Sequence, residues 1–360
     1  MSHLLSPLTL RETTFPNRAW VSPMCQYSCD PANPGVPTRW HDAHLGALTL
    51  GGPGLIMTES TAVSPDGRIS PQDAGIWNDE QAEVWSRHVR FAHELGVPMG
   101  MQLGHAGRKA STWRTWSEVQ GSVPIREGGW PTVGPSAVAF GDFETPAPLD
   151  DDGIGEVVAA FVDGARRAAE TGFDVVEVHA AHGYLLHQFL SPLSNHRTDE
   201  WGGSWENRTR LTRTVVRAIR EVWPQGRPLF VRLSSTDWVE GGWTLDDSIA
   251  LAAELVNDGA DLIDCSSGGL VHNAVIPVSP GYQVEFARRI RHEASVPVAA
   301  VGRITTPEHA EEILTSGSAD AIMMGRAFLR DPRWVQHAAI TFGETDAVAW
   351  PAPYHTAAPR

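Results

Sequence analysis

Eight short runs of β-branched and apolar residues recur along the chain, and amphipathic segments lie between them. We interpret the runs as strands over residues 19–22, 54–60, 99–104, 175–180, 229–234, 262–267, 296–302 and 321–325. Strands that alternate with helices form a parallel sheet, and eight of them favour a closed barrel over an open, doubly wound sheet. The pattern therefore predicts an α/β protein with the (β/α)8 TIM-barrel fold.

The spacing between the strands indicates what surrounds the barrel. Residues 108–152, between the third and fourth strands, are rich in Gly, Pro and Trp, which predicts a loop insertion over the top of the barrel. Residues 8–17 are expected to form a small hairpin that closes the bottom. We expect one domain over residues 1–360, with a C-terminal tail at 344–360.

Helical patterns are visible at three places. Residues 155–170 carry apolar residues at helical spacing. Ser204 is expected to cap a helix that carries Leu211 and Val215, and Asp79 to cap one that carries Val84.

Charge and cysteine content exclude several classes of protein. The net charge of −15 argues against nucleic acid or an anionic membrane as a partner. No run approaches the roughly 18 apolar residues that span a bilayer, and the first residues lack a signal-peptide pattern, so we expect a cytoplasmic protein. Three cysteines suit a reducing compartment and are too few for a four-cysteine iron–sulfur cluster. Lys109 is the sole lysine, which leaves one candidate for Schiff-base chemistry.

An arginine interrupts the apolar pattern of the fifth strand. If Val231 and Leu233 pack against the helices, Arg232 points into the barrel, where an unpaired guanidinium costs several kcal/mol. Its partner is then either a bound anion or reduced cofactor, or Glu177 on the fourth strand. The third strand places Gln102 inward between Gly100 and Gly104, where a flat ligand could approach the backbone.

Two histidines and a tyrosine follow the fourth strand, at the end where active sites of this fold lie. His179 and His182 have the spacing of a metal-binding pair, but Cys25 and Cys29 are spaced wrongly to complete a zinc site. Two neutral imidazoles that donate to one substrate oxygen fit better, with Tyr184 as the acid.

Glycine–arginine pairs end the last two strands. Because barrels often bind phosphate in these loops, Gly302 with Arg303 and Gly325 with Arg326 indicate a phosphate site. The alternative is two ordinary turns with surface arginines. No G-x-G-x-x-G follows a strand, so a Rossmann dinucleotide site is not supported.

These residues lie in longer motifs, which are SPMCQYS at 22–28, QLGHAGRK at 102–109, HAAHGYLLHQFLSP at 179–192 and RTDEWGGSWENRTR at 197–210. Across essentially the whole chain the sequence resembles the Old Yellow Enzyme family of FMN-dependent ene-reductases. The N-terminal motif resembles its cysteine-containing branch, which includes xenobiotic reductases and thermophilic-like members.

The resemblance implies a flavin site. Pro23, Met24 and Cys25 would run beside the flavin, with Cys25 near its reactive edge, where it would tune the redox potential. Gln102 and Arg232 would bind the pyrimidine side of the ring. The residues that would hold the FMN phosphate are Gly302, Arg303, Gly325 and Arg326.

The resemblance also implies two half-reactions at one site. NADPH or NADH would reduce FMN, and an enal, enone, maleimide or similar activated alkene would then take hydride at its β-carbon. His179 and His182 would bind the substrate carbonyl with help from Tyr27, and Tyr184 would protonate the α-carbon. Small activated alkenes are the expected partners, and a homodimer or homotetramer is the expected assembly.

The chain departs from the family pattern in two places. Ser60 stands where alanine or glycine is expected beside the flavin, and its hydroxyl would either donate to the ring or cap a turn. Many members of this branch have a C-terminal Tyr and Arg, two residues apart, that reach a neighbouring subunit. Here His355 and Thr356 follow Tyr354, and the next arginine is Arg360, so only Trp350 or Tyr354 is left for that contact.

Lys109 is expected either near the substrate entrance or on the surface.

Three alternatives stay open at this point. The first is a larger relative of the dienoyl-CoA reductase or amine dehydrogenase type, for which the chain lacks cysteines and length. The second is a metal-dependent lyase or hydrolase that uses the two histidines. The third is a flavin-binding protein without reductase turnover.

Overall fold

The computed structural model describes residues 1–359. Its strands are β1 (Leu8–Leu10), β2 (Thr13–Phe15), β3 (Ala19–Val21), β4 (Leu55–Ala62), β5 (Met99–Gly104), β6 (Val133–Gly134), β7 (Ala147–Pro148), β8 (Val175–Ala180), β9 (Leu229–Ser234), β10 (Leu262–Ser266), β11 (Val298–Ala300) and β12 (Ala321–Met324). The strands β3, β4, β5, β8, β9, β10, β11 and β12 form a closed barrel in which every neighbouring pair is parallel. The predicted TIM barrel is confirmed.

Helices surround the barrel. They are α1 (Arg39–Thr49), α2 (Asp79–Glu94), α3 (Asp151–Thr171), α4 (Leu185–Leu190), α5 (Trp205–Val222), α6 (Leu245–Asn257), α7 (Val284–Glu293), α8 (Pro307–Thr315), α9 (Arg326–Arg330) and α10 (Trp334–Phe342). Short 3-10 turns cover Gly107–Lys109, Ile125–Glu127, Thr345–Ala347 and Ala352–Ala357. No helix in the described part of the chain has the length and apolar character to cross a membrane.

One helix start corrects the sequence prediction. Asp79 is not the cap of α2, because Asn78 occupies that position and its side chain accepts from the backbone of Gln81. Gln81 returns a bond to the Asn78 backbone, which makes a capping box. The amphipathic segment predicted at 155–170 lies inside α3, which begins at Asp151 and is capped by Asp150. The predicted cap at Ser204 is confirmed.

The insertion and the hairpin lie where the sequence predicts. The chain between β5 and α3 contains two short 3-10 turns and one two-stranded sheet, β6–β7, and the structure assigns no α-helix there. Strands β1 and β2 pair antiparallel, and Phe15 enters the bottom of the barrel. There its ring lies 4.7 Å from that of Trp20, which stacks on Phe230 at 5.8 Å. Aromatic side chains therefore fill the lower interior.

The side chains of the barrel divide between two cores. Val231 and Leu233 of β9 belong to the large core between barrel and helices, whereas Phe230 belongs to the barrel interior. Because side chains of a strand alternate, Arg232 shares the interior with Phe230 one layer higher. The interior thus changes from apolar at the bottom to polar at the mouth.

Candidate active site

Arg232 lies in a charged layer of the barrel interior, together with Glu177 and Asp264. The partner of its guanidinium is a residue that the sequence analysis missed. Arg232 Nε lies 2.9 Å from Asp264 Oδ2, and Arg232 Nη2 donates to Ser22 Oγ at 3.2 Å. Glu177, which was considered as the partner, instead accepts a bond from Gln102 Nε2 at 2.7 Å. Asp264 was detectable, since it occupies the inward position on β10 between Leu262 and Ser266.

The same layer has spare hydrogen-bonding capacity. Glu177 Oε2 is buried without a hydrogen-bond partner among residues 1–359. Burial, with Asp264 nearby, raises the pKa of Glu177, while Arg232 opposes the shift. Because Gln102 donates its amide N–H to Glu177, its amide oxygen is left to accept a bond from a ligand.

His179, His182 and Tyr184 come together at the mouth, as predicted. The ring centroid of His179 lies 5.1 Å from that of His182 and 5.0 Å from that of Tyr184. His182 Nε2 lies 2.7 Å from Ser266 Oγ, a contact that no sequence motif predicts. The buried Nδ1 of His179 has no hydrogen-bond partner in the described chain.

Burial sets the protonation states of these three side chains. Desolvation, reinforced by Arg232, lowers the pKa of both His179 and His182, so both rings are neutral at pH 7. Desolvation, with Cys25 and then Asp73, raises the pKa of Tyr184, so its phenol stays protonated. The cluster therefore offers neutral N–H donors beside a proton-bearing hydroxyl.

The segment after β3 forms another wall of the mouth. Cys25, Tyr27 and Tyr184 pack with Trp130 against a small apolar cluster that includes Ile69. Burial, with Asp73 and Glu59 nearby, raises the pKa of the Cys25 thiol, which keeps it protonated.

The insertion and strand β4 also reach this wall. Trp116 of the insertion lies edge-on to Tyr27 with ring centroids 5.7 Å apart. Ser60 pairs in register with Gln102, and its hydroxyl makes none of the side-chain hydrogen bonds found among residues 1–359. Ser60 is therefore free to donate to a ligand.

A cavity of about 410 Å³ opens beside the last two strands. Its lining includes Pro23 and Met24 and all four residues of the predicted phosphate site, which are Gly302, Arg303, Gly325 and Arg326. It also includes Ser22, which Arg232 contacts, and Ser266, which His182 contacts. The volume lies within the range of small-ligand pockets, and the cavity is bordered by the residues that contact Arg232 and His182.

Lys109 lies at the entrance and not on the open surface. Its ammonium donates to the carbonyls of His182 at 2.7 Å and Gly269 at 2.9 Å, and it lies 5.0 Å from the Tyr184 ring. Desolvation, with Arg108 nearby, lowers the pKa of Lys109 to about 7.

Two further expectations concern metal binding and the tail. Within residues 1–359, no group of three or more His, Cys, Asp or Glu side chains is arranged to hold a metal ion. The Tyr354 ring lies 5.0 Å from the guanidinium of Arg333 in the same chain. Whether the tail reaches a neighbouring subunit stays a prediction, and Arg360 lies outside the described residues.

Known proteins resemble this chain over almost its whole length. The NADPH dehydrogenase of Bacillus subtilis (strain 168) is 46% identical over 337 residues, which cover 93% of this chain and 94% of that protein. The solved structure of the old yellow enzyme homologue from Zymomonas mobilis matches with a TM-score of 0.77 and 26% identity, over 99% of both chains.

A larger solved structure matches as well. The 2-naphthoyl-CoA reductase in complex with 2-naphthoyl-CoA matches with a TM-score of 0.85 and 25% identity over 98% of this chain. The match spans only 54% of that protein, so this chain corresponds to about half of it. The model of the NADH:flavin oxidoreductase / NADH oxidase family matches residues 3–342. The chain therefore belongs to the NADH:flavin oxidoreductase / NADH oxidase family, the Old Yellow Enzyme family of FMN-dependent oxidoreductases.

Proposed function

We propose that this oxidoreductase is an ene-reductase, which reduces the C=C bond of enones, enals, maleimides or similar activated alkenes with NADPH or NADH as the hydride donor. The observation that carries the proposal is the cluster of His179, His182 and Tyr184, which combines two neutral N–H donors with a protonated phenol. Reduction of an activated alkene needs these two kinds of group, one to polarise the carbonyl and one to supply a proton.

The residues present fit FMN. The buried polar layer has an unpartnered carboxylate oxygen on Glu177 and a buried guanidinium on Arg232, as expected where a polar ring edge is to be bound. Gln102 and Arg232 would bind the pyrimidine side of the ring. When bound, FMN would supply the hydride-transfer chemistry that links the nicotinamide to the alkene.

The cavity beside β11 and β12 suits the remainder of the cofactor. The phosphate would lie between two glycine–arginine pairs, whose residues are Gly302, Arg303, Gly325 and Arg326. Pro23 and Met24 line the same cavity and would contact the ring together with Cys25 and Ser60. The raised pKa of Cys25 means that it would face the flavin as a neutral thiol.

The substrate would bind through its carbonyl oxygen. His179 and His182 donate N–H bonds to that oxygen as neutral imidazoles, which draws electron density away from the β-carbon and makes it electrophilic. Tyr27 assists at the same oxygen. Tyr184 gives its phenolic proton to the α-carbon, and the negative charge left on its oxygen is neutralised by a proton from solvent before the next turnover.

Spectroscopy of the purified protein tests this function. The protein should be yellow, and anaerobic NADPH should bleach it. Addition of 2-cyclohexen-1-one should restore the colour with formation of cyclohexanone, whereas the saturated ketone should leave the flavin reduced. Failure of reoxidation across a panel of enones, enals and maleimides would leave a flavin protein without this activity. A colourless protein with stoichiometric zinc would overturn the flavin assignment itself.

A further inference from the structure

The turn that carries the side chains of His182 and Tyr184 has an unusual backbone. His182 has φ +59° and Gly183 has φ +74°, both in the left-handed region. This conformation is unfavourable for a non-glycine residue, so the surroundings of His182 must impose it. A side chain at position 183 is impossible, because its Cβ would lie 2.2 Å from the carbonyl oxygen of Gly269.

Both backbone polar groups of His182, and both of Gly183, are bound by side chains. Ser234 Oγ accepts from His182 N–H at 2.9 Å, and Lys109 Nζ donates to the His182 carbonyl at 2.7 Å. His187 Nδ1 accepts from Gly183 N–H at 2.9 Å, and Gln188 Nε2 donates to the Gly183 carbonyl at 2.7 Å. Four side chains therefore fix the backbone of His182 and Gly183, next to Tyr184.

The bond to His187 determines which ring nitrogen carries the proton. Since Nδ1 accepts a bond, it cannot hold a proton, and a neutral His187 must carry its hydrogen on Nε2. His187 Nε2 lies 2.9 Å from Asp237 Oδ1, and both side chains are fully buried. The N–H is not aligned with the carboxylate oxygen, so the attraction between them is chiefly electrostatic.

The surroundings of Asp237 keep it ionised. Burial opposes ionisation, but His187 and hydrogen bonds from Ser191 and the Trp243 backbone lower the pKa of Asp237. Both bonds go to Oδ2, from Ser191 Oγ at 2.6 Å and from Trp243 N at 2.8 Å. Oδ1 is thus the oxygen that faces His187, and its charge favours a hydrogen on Nε2.

We propose that Asp237 and His187 are positioning residues, and that they hold the His182–Tyr184 turn by fixing the His187 tautomer that accepts the Gly183 N–H. Neither residue belongs to the cluster that would contact substrate. The inference rests on the proposed ene-reductase function, because it concerns the geometry of the residues that would bind and protonate the alkene. A shift of about 1 Å in such residues costs of order 100-fold in rate.

Three substitutions separate positioning from general support of the fold. His187→Asn places an amide oxygen near the position of Nδ1, so it can still accept the Gly183 N–H, whereas His187→Leu cannot. In Asp237→Asn, the amide oxygen must remain with the Trp243 N–H, which turns the NH2 group toward His187 Nε2. That arrangement favours a hydrogen on Nδ1, which would oppose the Gly183 N–H.

His88→Leu is the matched control. His88 is buried on α2 and its Nε2 has no hydrogen-bond partner among residues 1–359, so its replacement tests the loss of a buried histidine elsewhere in the protein. Two measurements apply to each FMN-loaded variant. Hydrogen exchange of peptides that contain Gly183 reports the backbone bond, and anaerobic stopped flow with 2-cyclohexen-1-one reports alkene reduction.

Each variant has a different expected result in the two measurements. His187→Leu and Asp237→Asn should slow reoxidation about 10- to 100-fold and speed exchange at Gly183, as is typical when a supporting hydrogen-bond partner is lost. His187→Asn should recover most of both effects, and His88→Leu should change neither. A folded His187→Leu protein with normal exchange and normal reoxidation would overturn the proposal. If that variant does not fold, equal behaviour of Asp237→Asn and the wild type would overturn it.

The exchange measurement keeps this inference separate from the proposed function. If the wild-type flavin is not reoxidised by any alkene, the ene-reductase proposal fails, but exchange at Gly183 still shows whether Asp237 and His187 hold the turn. If the alkene reaction occurs and exchange at Gly183 is indifferent to all three substitutions, only the positioning proposal fails.

Discussion

Arg232 and Asp264 form an ion pair inside the barrel, with Nε and Oδ2 2.9 Å apart, directly above the apolar lower layer. Nη2 donates to Ser22 Oγ, but Nε has no hydrogen-bond partner among residues 1–359, so the guanidinium keeps donor capacity for a ligand. A buried cation at this position favours negative charge on a ligand beside it. If Arg232 lies next to the flavin ring as proposed, it stabilises the reduced form.

Replacement of Arg232 should therefore lower the flavin potential. In Arg232→Met/Asp264→Asn, the charge on each partner is removed, so neither is left buried alone. The loss of a charge-assisted bond worth about 1.5–3 kcal/mol corresponds to a midpoint potential about 30–60 mV more negative. Equilibration with a reference dye measures it, and Asp264→Asn alone serves as the control. An unchanged potential would show that Arg232 does not face the ring.

Replacement of Tyr184 by Phe should separate the two half-reactions. The phenol is the proposed proton donor, so reoxidation by 2-cyclohexen-1-one should slow about 10²- to 10⁴-fold, the usual contribution of a general acid. Flavin reduction by NADPH needs no proton from Tyr184 and should be nearly unchanged. Stopped-flow absorbance measures both steps, and equal losses in the two would count against Tyr184 as the donor.

Lys109 should titrate near neutral pH. Desolvation lowers its pKa to about 7, compared with about 10.4 for a free lysine side chain. Because the chain contains one lysine, 13C-lysine labelling gives a single set of side-chain resonances. The ε-carbon signal should shift with a midpoint near pH 7 in the folded protein and near pH 10 in urea. A midpoint near 10 in the folded protein would contradict the buried position of the ammonium.

Asp73 should make the protein less stable as the pH rises. Burial, and then Glu59, raise its pKa to about 8, although bonds from Ile69 N and Ser70 Oγ oppose the shift. The folded state thus keeps a proton that the unfolded state releases above pH 4. The stability that this proton contributes is complete below about pH 4 and is lost as the pH rises to about 8.

The variant Asp73→Asn tests this dependence. Its amide can keep the bond from Ile69 and donate to Ser70, and it does not titrate. Between pH 6 and pH 9 the wild type should lose about 3 kcal/mol more unfolding free energy than the variant, measured in urea at each pH. Equal losses would show that Asp73 is ionised throughout the range.

The alternation of strand residues was sufficient to predict the barrel and its charged layer. Because an inward arginine on β9 is visible from its apolar neighbours, Arg232 was found from sequence, and the same rule applied to β10 would have found Asp264. The contact of Arg232 with Asp264 and not with Glu177 could not be read from the pattern, since both carboxylates are inward on strands adjacent to β9.

The residues around the His182–Gly183 turn were less accessible to sequence reasoning. Asp237 follows β9 and His187 lies in α4, so their contact depends on how a loop and a short helix meet. Nothing in the spacing of 50 residues between them indicates a pair. Positive φ at a histidine is also not encoded in any local motif, because the tertiary hydrogen bonds impose it.

The aromatic stack of Phe15, Trp20 and Phe230 has a consequence for engineering. Its three rings are buried and fill the bottom of the barrel, below the layer that contains Arg232. The residues that stabilise the barrel bottom and the residues proposed to react thus lie at different levels along the barrel axis. Substitutions that improve packing in the lower layer can raise the melting temperature without touching the reacting groups, and libraries for new substrates can be confined to the upper rim.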